Sequence, residues 1–179
     1  MAAQYALMSE WNFLEGVRIQ HLEPLRADPE RYNKLKLFYI TASHMSVPLA
    51  DIMSIARSKN PDLLQDVHVA EQSYLATVDA LRLRNERLQE YYRSPNVKRE
   101  RFDFETGRYL ASGPTQELYL VKEATDALYL LLDRTMPKLQ TAIDALQKFI
   151  AENYKGYGAL KMVSLNVQES AAMVKSREP

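Results

Sequence analysis

The stretch LLQDVHVAEQSYLATVDALRLRNERLQEYY, residues 63–92, decides the fold class. Its Leu64, Val67, Glu71, Tyr74, Val78, Leu81, Asn85, Leu88 and Tyr92 follow one another at alternating steps of three and four. A spacing that averages about 3.5 lays one stripe along a long helix and calls for a neighbour crossing at about 20°. Downstream, Leu118, Val121, Thr125, Leu128, Leu132, Thr135, Leu139, Ala142, Leu146 and Phe149 repeat the pattern. Two stripes of this kind predict two long helices packed side by side.

Outward from this pair, punctuation marks the ends. Asn60-Pro61 places a capping side chain just before a proline at the first helical position, which opens the helix that runs to about Tyr92. SGPTQE, 112–117, opens the last helix, which extends to about Tyr154 before Lys155-Gly156-Tyr157-Gly158 stops it. Upstream, Tyr32, Leu35, Tyr39, Ala42, Leu49, Met53 and Ala56 keep a helical phase, so a second helix is expected from Asp28-Pro29 to about Ser58, with Asp28 as its cap. A weaker first helix, about Ala3 to Leu25, carries Leu7, Trp11, Leu14, Leu22 and Leu25. Two short turns make the first three helices antiparallel neighbours.

The expected fold is therefore all-α: an elongated up-and-down antiparallel four-helix bundle over residues 1–154, with a β-hairpin inserted between the third and fourth helices at 97–113. A pair of αα-hairpins that completes its core by dimerisation is the alternative. The hairpin is read from RFDFETGRYLAS, 101–112, where aromatic and polar residues alternate around Thr106-Gly107. A three-residue loop with Gly107 left-handed would pair Phe104 with Arg108 and Phe102 with Leu110. Residues 155–179 form a C-terminal tail with a candidate short strand at 161–167 and a disordered end.

Several polar residues interrupt the stripes: Glu71, Asn85, Thr125 and Thr135. A buried carboxylate or amide is costly unless paired, and such groups often set register. The stripes continue through Pro48 and Pro137, so each is expected to bend its helix without ending it.

Composition bounds function loosely. Basic and acidic residues number 23 each, so overall charge gives no reason to expect an anionic partner. With no Cys, disulfides, thiolate metal sites and Cys nucleophiles are all ruled out, which fits a cytoplasmic location. The longest apolar run, ALYLLL at 127–132, is far short of the roughly 20 residues that span a bilayer. Membrane insertion of this chain is not expected, although helical periodicity that begins near Met1 leaves room for an upstream anchor.

No catalytic, cofactor or metal motif is found. A di-iron bundle site needs Glu-x-x-His, but the residues three before His21, His44 and His68 are Arg18, Thr41 and Gln65. His44 falls off the stripe of its helix, which suggests exposure. Neither a Gly-rich phosphate loop nor a nucleophile elbow is present. No residue is assigned a catalytic, cofactor or metal role.

One stretch is locally basic. Between Arg82 and Arg101 there are seven basic and three acidic residues, with Tyr91, Tyr92, Phe102, Phe104 and Tyr109 within or just beyond it. Such a surface suits phosphates and stacked bases. The expected function is nonetheless a non-catalytic helical-bundle module acting through protein–protein contact or self-association. Its candidate partner-binding residues are Arg93, Lys98, Arg99, Arg101, Asp103 and Tyr109. A nucleic-acid-binding subunit using 82–109 is the second expectation, and a bundle that binds a metal or small molecule around Glu71 and Asn85 is the third.

Overall fold

The computed structural model describes residues 2–38, 40, 46–95, 98–103, 108–112 and 116–154, with backbone alone between 98 and 112. Its helices are α1 (Ala2–Val17), α2 (Arg31–Lys34), α3 (Leu49–Arg57), α4 (Pro61–Arg93) and α5 (Gln116–Asn153). A π-helical turn, Arg18–Leu22, and a 3-10 turn, Glu23–Leu25, prolong α1.

The two longest helices meet the expectation most closely. Asn60 Oδ1 accepts the Leu63 amide at 3.1 Å, with Pro61 at the first turn of α4. Nine of the ten stripe positions expected in α5, Val121 through Phe149, are buried, and Leu118 is half-buried. The helix runs through Pro137 without ending. Apolar burial along this seam, at roughly 25 cal/mol per Å2, is the main force joining α4 to α5.

In α4 the stripe is rotated by half a step. Leu63, Val67, Ala70, Tyr74, Thr77, Val78, Leu81, Arg84, Leu88 and Tyr91 are the buried series. Val67, Tyr74, Val78, Leu81 and Leu88 belong to both series, whereas Ala70, Arg84 and Tyr91 take the places expected of Glu71, Asn85 and Tyr92. Thus Arg84, not Asn85, is the polar residue in the seam, with none of its surface exposed.

The four-helix bundle with an inserted hairpin is not what forms. Among the described residues five α-helices replace four, because the expected second helix, 29–58, is interrupted. In its place α2 makes one turn, Leu35–Phe38 is extended, and α3 starts only at Leu49, with Pro48 just outside its N-terminus rather than bending it. Asp28 does not cap a helix: its Oδ1 accepts the Glu30 amide in a turn, and α2 begins at Arg31. The expected stripe fails here too, since Leu49 and Met53 are exposed while Val47 and Ile55 are buried.

The inserted β-hairpin is likewise corrected. Among residues with described side chains there is no strand, so the supported class is all-α. Backbone pairing does run antiparallel between Lys98–Asp103 and Arg108–Ser112. Its register sets Asp103 opposite Arg108 and Phe102 opposite Tyr109, one residue away from the expected pairing, with an irregularity between Arg99 and Arg101. The aromatic face assigned to Phe102, Phe104 and Leu110, the left-handed Gly107, and the tail 155–179 with its strand at 161–167 lie outside the described side chains or residues. Tyr39, Ala42 and His44 also lie outside the described residues.

Candidate functional site

The extended segment that replaces the second helix is a strap across α4, and α4 side chains hold it. Arg84 donates from Nη1 to the Lys36 carbonyl at 2.6 Å and from Nη2 to the Leu35 carbonyl. Its guanidinium also lies 5.3 Å from the centre of the Phe38 ring. One residue on, Asn85 Oδ1 accepts the Phe38 amide at 3.0 Å while Nδ2 donates to the Phe38 carbonyl at 2.8 Å. The Asn85 amide thus gives Phe38 the two bonds that a neighbouring strand would supply. Further along, a Glu71 carboxylate oxygen accepts the Val47 amide at 3.1 Å. Extended backbone without a strand partner must satisfy its amides and carbonyls elsewhere, and these three residues do so.

The polar residues of the stripes therefore have structural work. Thr77 and Thr135 share a hydrogen bond of 2.8 Å across the α4–α5 seam, and both hydroxyls also approach the Ser73 carbonyl. Thr125 bonds back to the Val121 carbonyl at 2.7 Å. Beyond the strap, Glu10 of α1 is buried to 3% exposure. Burial pushes its carboxyl up to about 8, and the nearby Glu71 carboxylate adds to the rise. The Tyr74 hydroxyl is raised to about 12, mainly by burial and further by Glu10.

On the far side of α5, arginines tie the turns after α1 to the bundle. Arg26 forks onto Asp133 at 2.7 and 2.9 Å, and Arg31 reaches Asp126. Both guanidinium groups lie over the Tyr129 ring, at 5.1 and 5.2 Å, and the Tyr129 hydroxyl donates to the Leu22 carbonyl at 2.7 Å.

The basic stretch is dispersed by this packing. Arg82 pairs with Asp79 and Arg87 with Glu90, each within one helical turn, and Arg84 is in the core. Arg93 is exposed at the end of α4. The other five candidate contact residues, Lys98, Arg99, Arg101, Asp103 and Tyr109, fall where only backbone is described, so the structure does not bring the six into one site. Sequence periodicity did hold the signal for Arg84, because residue 84 continues the steps through Ala70, Thr77 and Tyr91.

His68 is exposed, and Glu71, one of the two residues around which a metal or small-molecule site was expected, bonds the strap. Among the described residues, no three His, Asp or Glu side chains are placed to hold a metal ion. Burial and the nearby Lys36 lower the pKa of His21, whose ring meets Phe38 edge-on with centroids 5.7 Å apart.

One surface was not foreseen from the sequence. A groove of about 370 Å3 runs between α4 and α5, lined by those two helices alone. Val69, Ala76 and Leu131 are its apolar lining, Thr135 is its buried residue, and His68, Arg134 and Lys138 also border it. At about 100° per residue, Ala76 points away from Val78 and Asn85, and Arg134 away from Tyr129, so the groove opens on the side opposite the strap and α1. No family model matches the chain, and no curated protein or solved structure is significantly similar to it. No described helix is long and apolar enough to cross a membrane.

Proposed function

We propose that the chain is a non-catalytic helical module that acts by protein–protein contact, as a subunit or adaptor, with the cytoplasmic location expected from its cysteine-free sequence. One observation supports this above the others. Among the described residues, the α4–α5 pair is covered on one side by α1 and the strap, and on its other side carries an open groove whose lining includes Val69, Ala76 and Leu131. Val69 and Leu83, both on α4, and Leu130 on α5 are exposed apolar side chains of the same helix pair. An exposed apolar patch on a bundle is a place where partners bind.

The test is native mass spectrometry of the intact chain, with partner retention from its own source measured beside it. The expected result is a defined complex, either with itself or with a retained protein. A strict monomer that retains nothing would overturn the proposal. Loss of that complex in Val69→Glu, with an unchanged helical spectrum, would place the contact on this face.

A further inference from the structure

The groove between α4 and α5 has a chemistry of its own. Its lining holds His68, Arg134 and Lys138 and neither Asp nor Glu. Lys138 reaches across it to the Ser73 hydroxyl at 3.1 Å, and Arg134 makes no ion pair among the described residues. Both side chains are exposed, so their charge is offered to whatever lies in the groove.

We infer that this groove docks one amphipathic helix of a partner protein, whose apolar ridge is flanked by Asp or Glu. The inference rests on the contact function proposed above and specifies the partner for it. Between Val69 and Ala76 the groove follows α4 for about two turns, roughly 10 Å at 1.5 Å per residue. A helix crossing near 20° would set residues i, i+4 and i+7 along that length. The small Ser73 and Ala76 let its backbone come close, and the groove volume receives the ridge side chains. Carboxylates beside the ridge would meet Lys138 and the planar fork of Arg134, which can grip a carboxylate through two parallel bonds.

Charge also decides against other occupants. A second copy whose two-fold axis passed through this groove would set one acid-free basic rim against another. Single-stranded nucleic acid wants aromatic rings for base stacking, and no Phe, Tyr or Trp lines the groove.

A phage-displayed library of amphipathic helices, randomised at the positions flanking the apolar ridge, tests this directly on the intact chain. Asp and Glu should be enriched over Lys and Arg at those positions. The selected peptides, made synthetically, should bind at least tenfold more weakly to the double variant R134E/K138E, and more weakly as salt rises. Arg82→Glu, outside the groove, should leave binding unchanged, and circular dichroism should show all variants folded. Selected peptides without an acidic preference, no selected peptide at all, or binding indifferent to R134E/K138E would each overturn the inference. Salt-sensitive binding of a single-stranded oligonucleotide lost in the same double variant would also overturn it, by giving the groove to nucleic acid. A native complex that survives R134E/K138E would sink this inference while leaving the contact function standing.

Discussion

The α4–α5 pair and the strap residues Leu35–Phe38 were both expected to be helical, and only the first is. In α4 and α5, local pattern and tertiary contact agree: each turn adds another seam residue, and the partner helix rewards all of them along more than thirty residues. In the strap the same kind of periodicity met no partner that rewarded a helix. Leu35–Phe38 instead gains side-chain bonds to its backbone from Arg84 and Asn85, which are available only if it is extended. A helical pattern states what a segment could bury. Whether it becomes a helix depends on what its neighbours offer.

That contrast can be broken at Arg84. Arg84→Ala should cost about 4 kcal/mol, because it empties a filled core position and leaves two strap carbonyls without their charged donor. Urea unfolding measures the loss, and hydrogen exchange should show protection lost at the amide of Phe38 before it is lost in α5. A cost below about 1 kcal/mol would mean that the strap is held by apolar contact alone.

Next comes pH. The Glu10 carboxyl has its folded pKa raised to about 8 from an ordinary 4.5, so it is held protonated in the fold. The folded state binds the extra proton, and the stability linked to it is full below about 4.5 and lost as pH rises through about 8. Urea midpoints should therefore fall across that window, by at most about 1.4 kcal/mol per pH unit. Glu10→Gln should flatten the curve. The groups facing Glu10 are Glu71 and Tyr74, and a slope that persisted in Glu10→Gln would show that Glu10 is not its source.

Asn85→Ala should cost about 2 kcal/mol, since both bonds to Phe38 disappear together. Asn85→Asp sharpens the comparison: it keeps an acceptor for the Phe38 amide but loses the donor to its carbonyl, and should fall between the two. An equal cost for Ala and Asp would show that the carbonyl bond is the one that matters.

The smallest effect belongs to the helix pair. Thr77→Val removes one hydroxyl of the Thr77–Thr135 contact but leaves Thr135 its Ser73 carbonyl, so the cost should be about 1 kcal/mol or less. Exchange in the strap should not change. A larger loss, or an effect on the strap, would mean that the two regions are not separable.

The candidate site divides along the same line. The α5 stripe and the Asn60-Pro61 start were legible because short-range spacing and capping chemistry specify them. The half-step rotation of α4 was not, because Val67, Tyr74, Val78, Leu81 and Leu88 serve two overlapping stripes equally. Choosing between Ala70–Arg84 and Glu71–Asn85 requires knowing that α5 lies on one side and the strap on the other. For the same reason the basic stretch misled: charge can be counted along the chain, but pairing with Asp79 and Glu90, or burial as at Arg84, cannot. The groove was invisible in sequence, since its lining comes from two helices running in opposite directions.

By itself, then, the order of residues determined that the chain is helical, where its two longest helices lie and that they pack together. Those features follow from periodicity and caps, which act over a few residues. The tertiary structure alone decided that Leu35–Phe38 is a strap, that Arg84 is its clamp, and that the other described helices leave one face of the α4–α5 pair uncovered. Each of these depends on free energy shared between groups far apart in the chain, and no local pattern records which distant group will be there to share it.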